Sequence, residues 1–481
     1  MTDADTAIPR DDPGAASGAD AGDPWTRWLP GPARRLTDRY LPRGAVVLGI
    51  LTLAYFVVRQ VQNRVLANAF GLGTELDIYY VAVRIPEVAL DLLVAAGLTA
   101  PFVPIFTALR HDDDDPAANR FGRTVLTAAV VVMAITAAVL IVAAPLIAAA
   151  VAGSLSAADQ ALYVDLFRIN CLTLTLFAAS IAIGEILVAN RRFFFYALAP
   201  ILYPLGAIVG TLLFADTMGI YAPAWGTVAG AAAHLAARAA GSLRTSFRYR
   251  PSLQVRTPAF REFFRLMLPR MVSYPIDPIQ TAYFAALALT FGPGSASALT
   301  FADDYRAVPV ILIAQQFSLA LFPSLSAADA DGDRRGFRSL LSRNVLAIGV
   351  LTLIAAVLLA VLAPALIGFL LRGGAFDAED VALTASLLAA FAVSVPLDGL
   401  TYPLSRGLYA THNTVLQVIA SIAGLVTIVA VSQALAGPLG IFAIPAAYAA
   451  GSGVKVALLA VFLTWRLRRV EAAGGPSTGP S

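Results

Sequence analysis

The sequence predicts an all-α polytopic membrane protein of about 12 transmembrane helices in two pseudo-symmetric six-helix lobes. Three observations predict it. The 481-residue chain is 58% hydrophobic and only 14% charged, with a mean hydropathy of +0.74, more apolar surface than a soluble domain needs. Its apolar runs are continuous rather than alternating, which suits helices and not transmembrane strands. Short patterns recur at a separation of about 220 residues, which suits two copies of one unit.

Taken in order, residues 1–43 are rich in Ala, Gly, Asp and Pro and hold no apolar core of signal-peptide type. They read as a disordered cytoplasmic tail, with Trp25, Trp28, Arg34, Arg35 and Arg39 as candidates for the membrane surface. Twelve spans follow, at roughly 44–66, 78–108, 122–152, 161–189, 195–215, 219–240, 262–290, 297–326, 344–371, 381–408, 413–435 and 439–465. The loops test this count. Arg110, Arg120 and Arg123 fall after the second span, and Arg191 and Arg192 after the fourth. Arg244, Arg248, Arg250 and Arg256 follow the sixth; Arg334, Arg335, Arg338 and Arg343 follow the eighth; Arg466, Arg468 and Arg469 follow the last. The alternate connections hold almost no basic residue, Arg372 excepted. An excess of positive charge marks the cytoplasmic side, so both termini are expected there, in a bacterial cytoplasmic membrane. The net charge of +3 follows these loops and does not indicate nucleic-acid binding. The single cysteine, Cys171, cannot form an internal disulfide and reads as a small apolar packing residue.

The duplication is carried by three pairs of segments. Gly71-Leu72-Gly73-Thr74 resembles Gly292-Pro293-Gly294-Ser295. The stretch from Phe102 to Ala108 resembles that from Phe322 to Ala327, and aspartates follow both. Leu187-Val188-Ala189-Asn190 resembles Leu408-Tyr409-Ala410-Thr411. The chain therefore divides into lobes 44–240 and 260–466, a basic cytoplasmic linker 241–259 and a second disordered tail 467–481. Six helices per lobe is an even number, so a substrate site is expected between lobes that enter from the same side.

Ionised groups inside spans cost about 3 kcal/mol or more and usually face a bundle interior or a wet cavity. Arg84, Glu87 and Asp91 share one helix face by their spacing, beside Asp77 and Pro86. Span 8 carries Asp303, Asp304 and Arg306 before Pro309. Span 1 carries Arg59 and Arg64, and span 7 carries Arg270 and Asp277 among prolines. Asp398 lies between Pro396 and Pro403. Arg59, Arg64, Asp77, Arg84, Glu87, Asp91, Arg270, Asp303, Asp304 and Arg306 are the candidate substrate-binding residues, walling a central polar cavity. Guanidinium forks pair bidentately with phosphate oxygens, so Arg59, Arg84 and Arg306 are expected to grip a diphosphate. The carboxylates would order the arginines, bind a coupling cation or take up a proton. Glu185 and Arg406 read as snorkelling side chains near cytoplasmic ends. His234, isolated in span 6, reads as structural. The sequence holds no Gly-rich phosphate loop, no metal-ligand cluster and only three histidines, so an enzyme is not expected.

Three segments then bring a family into view: 70–110, 299–326 and 373–414. They resemble the signature of the MurJ/MviN family of lipid II flippases, within the MOP exporter superfamily. The resemblance covers about 44–466. It implies a MATE-like pair of lobes, alternating access, and a lipid-linked peptidoglycan precursor as the partner carried through the bilayer. It implies no cofactor, with a coupling cation or the membrane potential as the energy source, and cell-wall synthesis enzymes as further partners. Asp77 and Asp303 match the family pattern. Asp304 stands where the family has an arginine, with Arg306 two residues on. The family's basic residues and Glu-Gly of span 2 are replaced by Leu90-Asp91 and Ala95-Ala96, and its span-1 arginines do not align with Arg59 and Arg64. Fourteen helices are usual, against twelve here, so the lipid-tail groove of the last two is expected to be missing. Two other readings stay open: a multidrug or small-solute antiporter coupled through Asp77 and Asp91, and a non-transporting paralogue that scaffolds cell-wall enzymes.

Overall fold

The computed structural model describes residues 43–92, 96–110, 116–273 and 276–473. The predicted N-terminal tail with its tryptophans, the aspartates at 112–115 and the last eight residues lie outside them. Among the described residues the chain is helical throughout, and its one β-type pairing is an isolated bridge between Gly373 and Phe376.

The first half comprises α1 (Arg43–Phe70), α2 (Thr74–Leu90), α3 (Ala96–Ala108), α4 (Pro116–Val151), α5 (Ala157–Ala189), α6 (Phe193–Met218) and α7 (Tyr221–Ser242). The second comprises α8 (Pro258–Ser273), α9 (Ile276–Ala288), α10 (Ser295–Pro309), α11 (Gln316–Ala330), α12 (Arg334–Leu370), α13 (Ala378–Ala392), α14 (Ser394–Ala410), α15 (Val415–Leu439) and α16 (Ala443–Ala473). Six helical runs are long and apolar enough to cross a membrane by length and composition, or seven with the bent pair α13–α14, which meets at 44°. The other predicted spans are broken, as at 74–108 and 258–288, or carry arginine, as α1 and α7 do. The count of about twelve therefore stands as an approximate one. α16 stays helical as far as Ala473, past the point where a tail was expected.

The duplicated patterns fall on matched turns. Arg191 and His412 both have positive φ (55° and 57°), 221 residues apart, each one residue past a helix end. That backbone conformation costs about 1 kcal/mol for a side chain, but it closes a helix by turning its last carbonyls onto the next amides. Gly219 and Gly440 (φ 56° and 55°) keep the same interval between α6–α7 and α15–α16. Breaks also recur. A π-helical turn covers Asp91–Leu92, after Pro86, and another covers Val310–Gln315, after Pro309. Proline removes a backbone donor, and the π turn takes up the resulting slack.

Packing is tightest where side chains vanish. α6 and α7 touch backbone to backbone through Gly206, Gly210, Gly226 and Gly230. α15 and α16 meet likewise at Gly424 and Gly451. With lipid outside, no solvent drives helices together, so close approach and van der Waals contact must do it. A large apolar core runs through both halves: the Tyr80 ring lies 5.6 Å from Phe301, which lies 6.0 Å from Phe376. At the arginine-rich end the halves touch through aromatic rings. Phe102 stacks on Phe121 at 5.4 Å, and Phe121 meets Phe263 of α8 edge-on at 5.8 Å.

A Cβ on Gly230 would come within 2.6 Å of Tyr203 O. Gly230→Ala is expected to cost about 1–3 kcal/mol by overpacking and to lower the melting temperature of the purified protein. Gly49→Ala, in a helix with open space around it, is expected to be neutral or slightly stabilising.

Candidate functional site

The halves are latched at the end away from the arginine-rich loops. Asp77 lies in the first turn of α2 and is only 1% exposed. Its carboxylate accepts from Gly294 N at 2.7 Å, Ser297 N at 2.7 Å and Ser297 Oγ at 2.6 Å. Those donors are the N-terminus of α10, in the other half. A helix start leaves amides unpaired and carries partial positive charge, so a carboxylate there is held by short, charge-assisted bonds. Nearby, Leu72 N donates to Asp380 Oδ2 at 3.1 Å, and Ala375 N donates to Asn68 O at 2.8 Å. Arg64 Nη1 donates to Phe369 O at 2.9 Å and Leu370 O at 3.0 Å, the open carbonyls at the end of α12. Helix ends of one half are thus capped by side chains of the other. A turn deeper, Arg59 pairs with Asp304 at 3.4 Å, and Asn63 Nδ2 donates to the same carboxylate at 2.9 Å.

Behind this latch lies a cavity of about 420 Å³. Its wall comes from α9–α10, the π-helical turn and α13–α16 of the second half, with Arg84 reaching in from α2. Arg306 is the fixed point of that wall. Its Nη2 lies 2.7 Å from Asp303 Oδ1 and its Nη1 3.0 Å from Asp398 Oδ2, while Tyr448 donates to the same Asp398 oxygen at 2.9 Å. The guanidinium also lies over the Tyr448 ring, 4.3 Å from its centroid. Two carboxylates and a ring answer one buried charge, so Arg306 is locked. The other cations are held less firmly. Lys455 is 3.8 Å from Asp277, whose side chain is 79% exposed. Arg406 lies over Phe322 at 5.5 Å, and Arg84 makes one bond, to Glu87 at 3.1 Å. The wall carries Arg84, Arg306, Arg406 and Lys455 against Asp277, Asp303 and Asp398, one positive charge in excess. Such a wall, with three loosely held cations, suits an anion.

A second cavity, of about 340 Å³, lies within the first half, between α2, α5 and α6. Pro86, Glu87, Asp91, Asn170, Thr173 and Tyr203 are among its lining residues.

The ten candidate residues therefore part company. Arg84, Asp303 and Arg306 reach the larger cavity; Glu87 and Asp91 line the smaller. Arg59, Arg64, Asp77 and Asp304 join the halves and line neither. The Arg270 side chain lies outside the described residues. Asp77 orders no arginine, because a helix N-terminus supplies its donors. The larger cavity sits mostly in the second half rather than evenly between lobes. Glu185 does not snorkel; it is 3% exposed. Arg406 does not simply reach for the surface but lines the cavity. His234 is packed as expected, with Nδ1 2.6 Å from Ser180 Oγ and its ring against Phe177. Asp277, Asp398, Tyr448 and Lys455 belong to the cavity and were not among the candidates. A signal was present: Asp277 adjoins Pro278, Asp398 sits between two prolines, and Lys455 is the chain's only lysine, inside an apolar run.

Comparison with known proteins agrees with this architecture. A family model described as lipid II flippase MurJ matches residues 66–475. The chain is 24% identical over 379 residues to lipid II flippase MurJ of Burkholderia cenocepacia, covering 77% of this chain and 73% of that protein. It is 25% identical over 353 residues to the probable lipid II flippase MurJ of Thermotoga maritima, covering 73% and 71%. Among solved structures, a lipid II flippase MurJ in an inward closed conformation superposes with a TM-score of 0.76 at 20% identity, over 89% of this chain and 90% of that one. An inward-facing MATE multidrug transporter of the MOP superfamily gives 0.71 at 14% identity, over 90% and 100%. The structural likenesses establish the fold, and the match across most of the chain establishes the family: this protein belongs to the lipid II flippase MurJ family.

Proposed function

We propose that the protein moves a polyprenyl-diphosphate-linked peptidoglycan precursor, lipid II, from the inner to the outer leaflet of the bacterial cytoplasmic membrane by alternating access. The observation that carries this reading is the larger cavity, whose loosely held Arg84, Arg406 and Lys455 face one space behind a latched end. The arginine-rich loops and both termini face the cytoplasm, so the Asp77 latch closes the outer side. The reading is of a transporter without a catalytic step.

The diphosphate enters from the cytoplasmic side when the Phe102–Phe121–Phe263 contact parts. The polyprenyl chain stays in the bilayer. A cavity of about 420 Å³ lies within the usual range for small-ligand pockets, roughly 300–1,000 Å³, so it takes the diphosphate and part of the sugar without opening wider. Arg84, Arg406 and Lys455 turn onto the phosphate oxygens, while Arg306, held by Asp303 and Asp398, keeps its place and positions the wall. A ligand shifts a conformational equilibrium only by its differential affinity. Arg84 stands on one half and the other cations on the other, so a diphosphate that engages both drives the change. Passage to the outward state then breaks the bonds from Asp77 to α10.

Two outcomes follow. Arg84→Ala is expected to lower translocation of labelled lipid II in proteoliposomes at least tenfold with little change in melting temperature; normal transport would remove Arg84 from the mechanism. Asp77→Ala is expected to loosen the outer latch. A Leu72→Cys probe should then react with an impermeant maleimide several-fold faster than in the Asp77 background, and Asp77→Asn should fall between the two. Native Cys171 is buried and stays silent.

A further inference from the structure

We propose that the smaller cavity, inside the first half, binds a single monovalent metal cation such as Na⁺. The pocket itself does not depend on the flippase reading; its link to transport rests on that reading. The chemistry is that of an oxygen-rich site. Glu87 and Asp91, one helical turn apart, line it together with Asn170, Thr173 and the Tyr203 ring. Asn170 is 1% exposed. Its Nδ2 donates to Leu166 O at 2.9 Å, and its Oδ1 has no hydrogen-bond partner. A buried amide oxygen left unanswered costs about 1–3 kcal/mol, so its survival beside two carboxylates points to a ligand that accepts lone pairs. Hard oxygen donors suit alkali and alkaline-earth cations. Charge selects between them. Two carboxylates face the pocket, and Arg84 already answers one of them through Glu87 at 3.1 Å. One negative charge is left, which a single positive charge balances. The π-helical turn at Asp91–Leu92 sets the helix there apart from a regular one, as such turns often do at binding sites.

Arg84 ties this pocket to the larger cavity. Its guanidinium lines the larger one, while its partner Glu87 lines the smaller. A cation that draws on Glu87 loosens Arg84 for an anion, and an anion that draws on Arg84 leaves Glu87 to the cation. The two ligands then favour each other, and by linkage the effect is reciprocal.

The test measures thermal unfolding of the full-length purified protein in zwitterionic nanodiscs, without lipid II, as NaCl replaces choline chloride at constant ionic strength. The wild type should show a melting temperature that rises with Na⁺ and saturates. Asp91→Asn should reduce that rise at least threefold. Asn170→Asp, which adds a carboxylate of the same size, should keep or enlarge it. Arg84→Ala should lower the Na⁺ concentration at half-effect several-fold, because Glu87 is freed. No rise in the wild type, or a full rise in Asp91→Asn, overturns the site; an unchanged midpoint in Arg84→Ala overturns its link to the larger cavity. Because no substrate is present, failure here is separate from failure to flip lipid II.

Discussion

An ionised side chain inside an apolar bundle must find its partners within the protein. Removing one partner from a buried pair costs about 3–5 kcal/mol, because the remaining charge is left stranded. This chain meets the requirement in two distinct ways. At the latch and on the cavity wall the partners are many and close: three donors on Asp77, two carboxylates and a ring on Arg306. On the faces of the two cavities the partners are few and longer, as for Lys455 with Asp277 and Arg84 with Glu87. The first kind fixes the architecture. The second kind is satisfied well enough to fold and weakly enough to exchange partners with a ligand.

The two halves share their turns but not their charges. Gly219 and Gly440, or Arg191 and His412, occupy equivalent corners. Yet 221 residues on from Asp77 stands Ala298, and 221 residues before Arg306 stands Ile85. Backbone corners are set by sterics and survive duplication as local rules. Charges answer to whatever faces them, and each half faces the other rather than itself. That asymmetry explains why Asp77 caps a helix of the second half, and why the larger cavity lies off centre.

Much of the fold was legible in the sequence because hydropathy, loop charge and turn residues are local signals. The apolar runs, the alternation of arginine-rich loops and the repeated glycine turns each reappear as structure. The candidate site was legible only as a set of residue types. Arg84, Asp303 and Arg306 reach the larger cavity, and Glu87 and Asp91 a smaller one that the sequence did not announce. Asp77 was marked as unusual for its place in a span, but nothing along the chain says that its partner is the backbone of a helix some 220 residues away. Arg59 and Asp304 illustrate the same limit: each looked like a ligand group until the other was seen opposite it. Lys455 was missed for a simpler reason, since a lone cation late in an apolar run has no neighbour in sequence to suggest a cluster.

The claim at the centre of this account is that loading the cavity unlatches the opposite end. Paired spin labels at Ser154 and Ala378, exposed residues of the two halves at the latched end, report this directly by pulsed electron spectroscopy. The account predicts one short distance population without substrate and a second, longer population once a polyprenyl-diphosphate lipid is added to the reconstituted protein. A single unchanged population under conditions in which lipid is being flipped would contradict it.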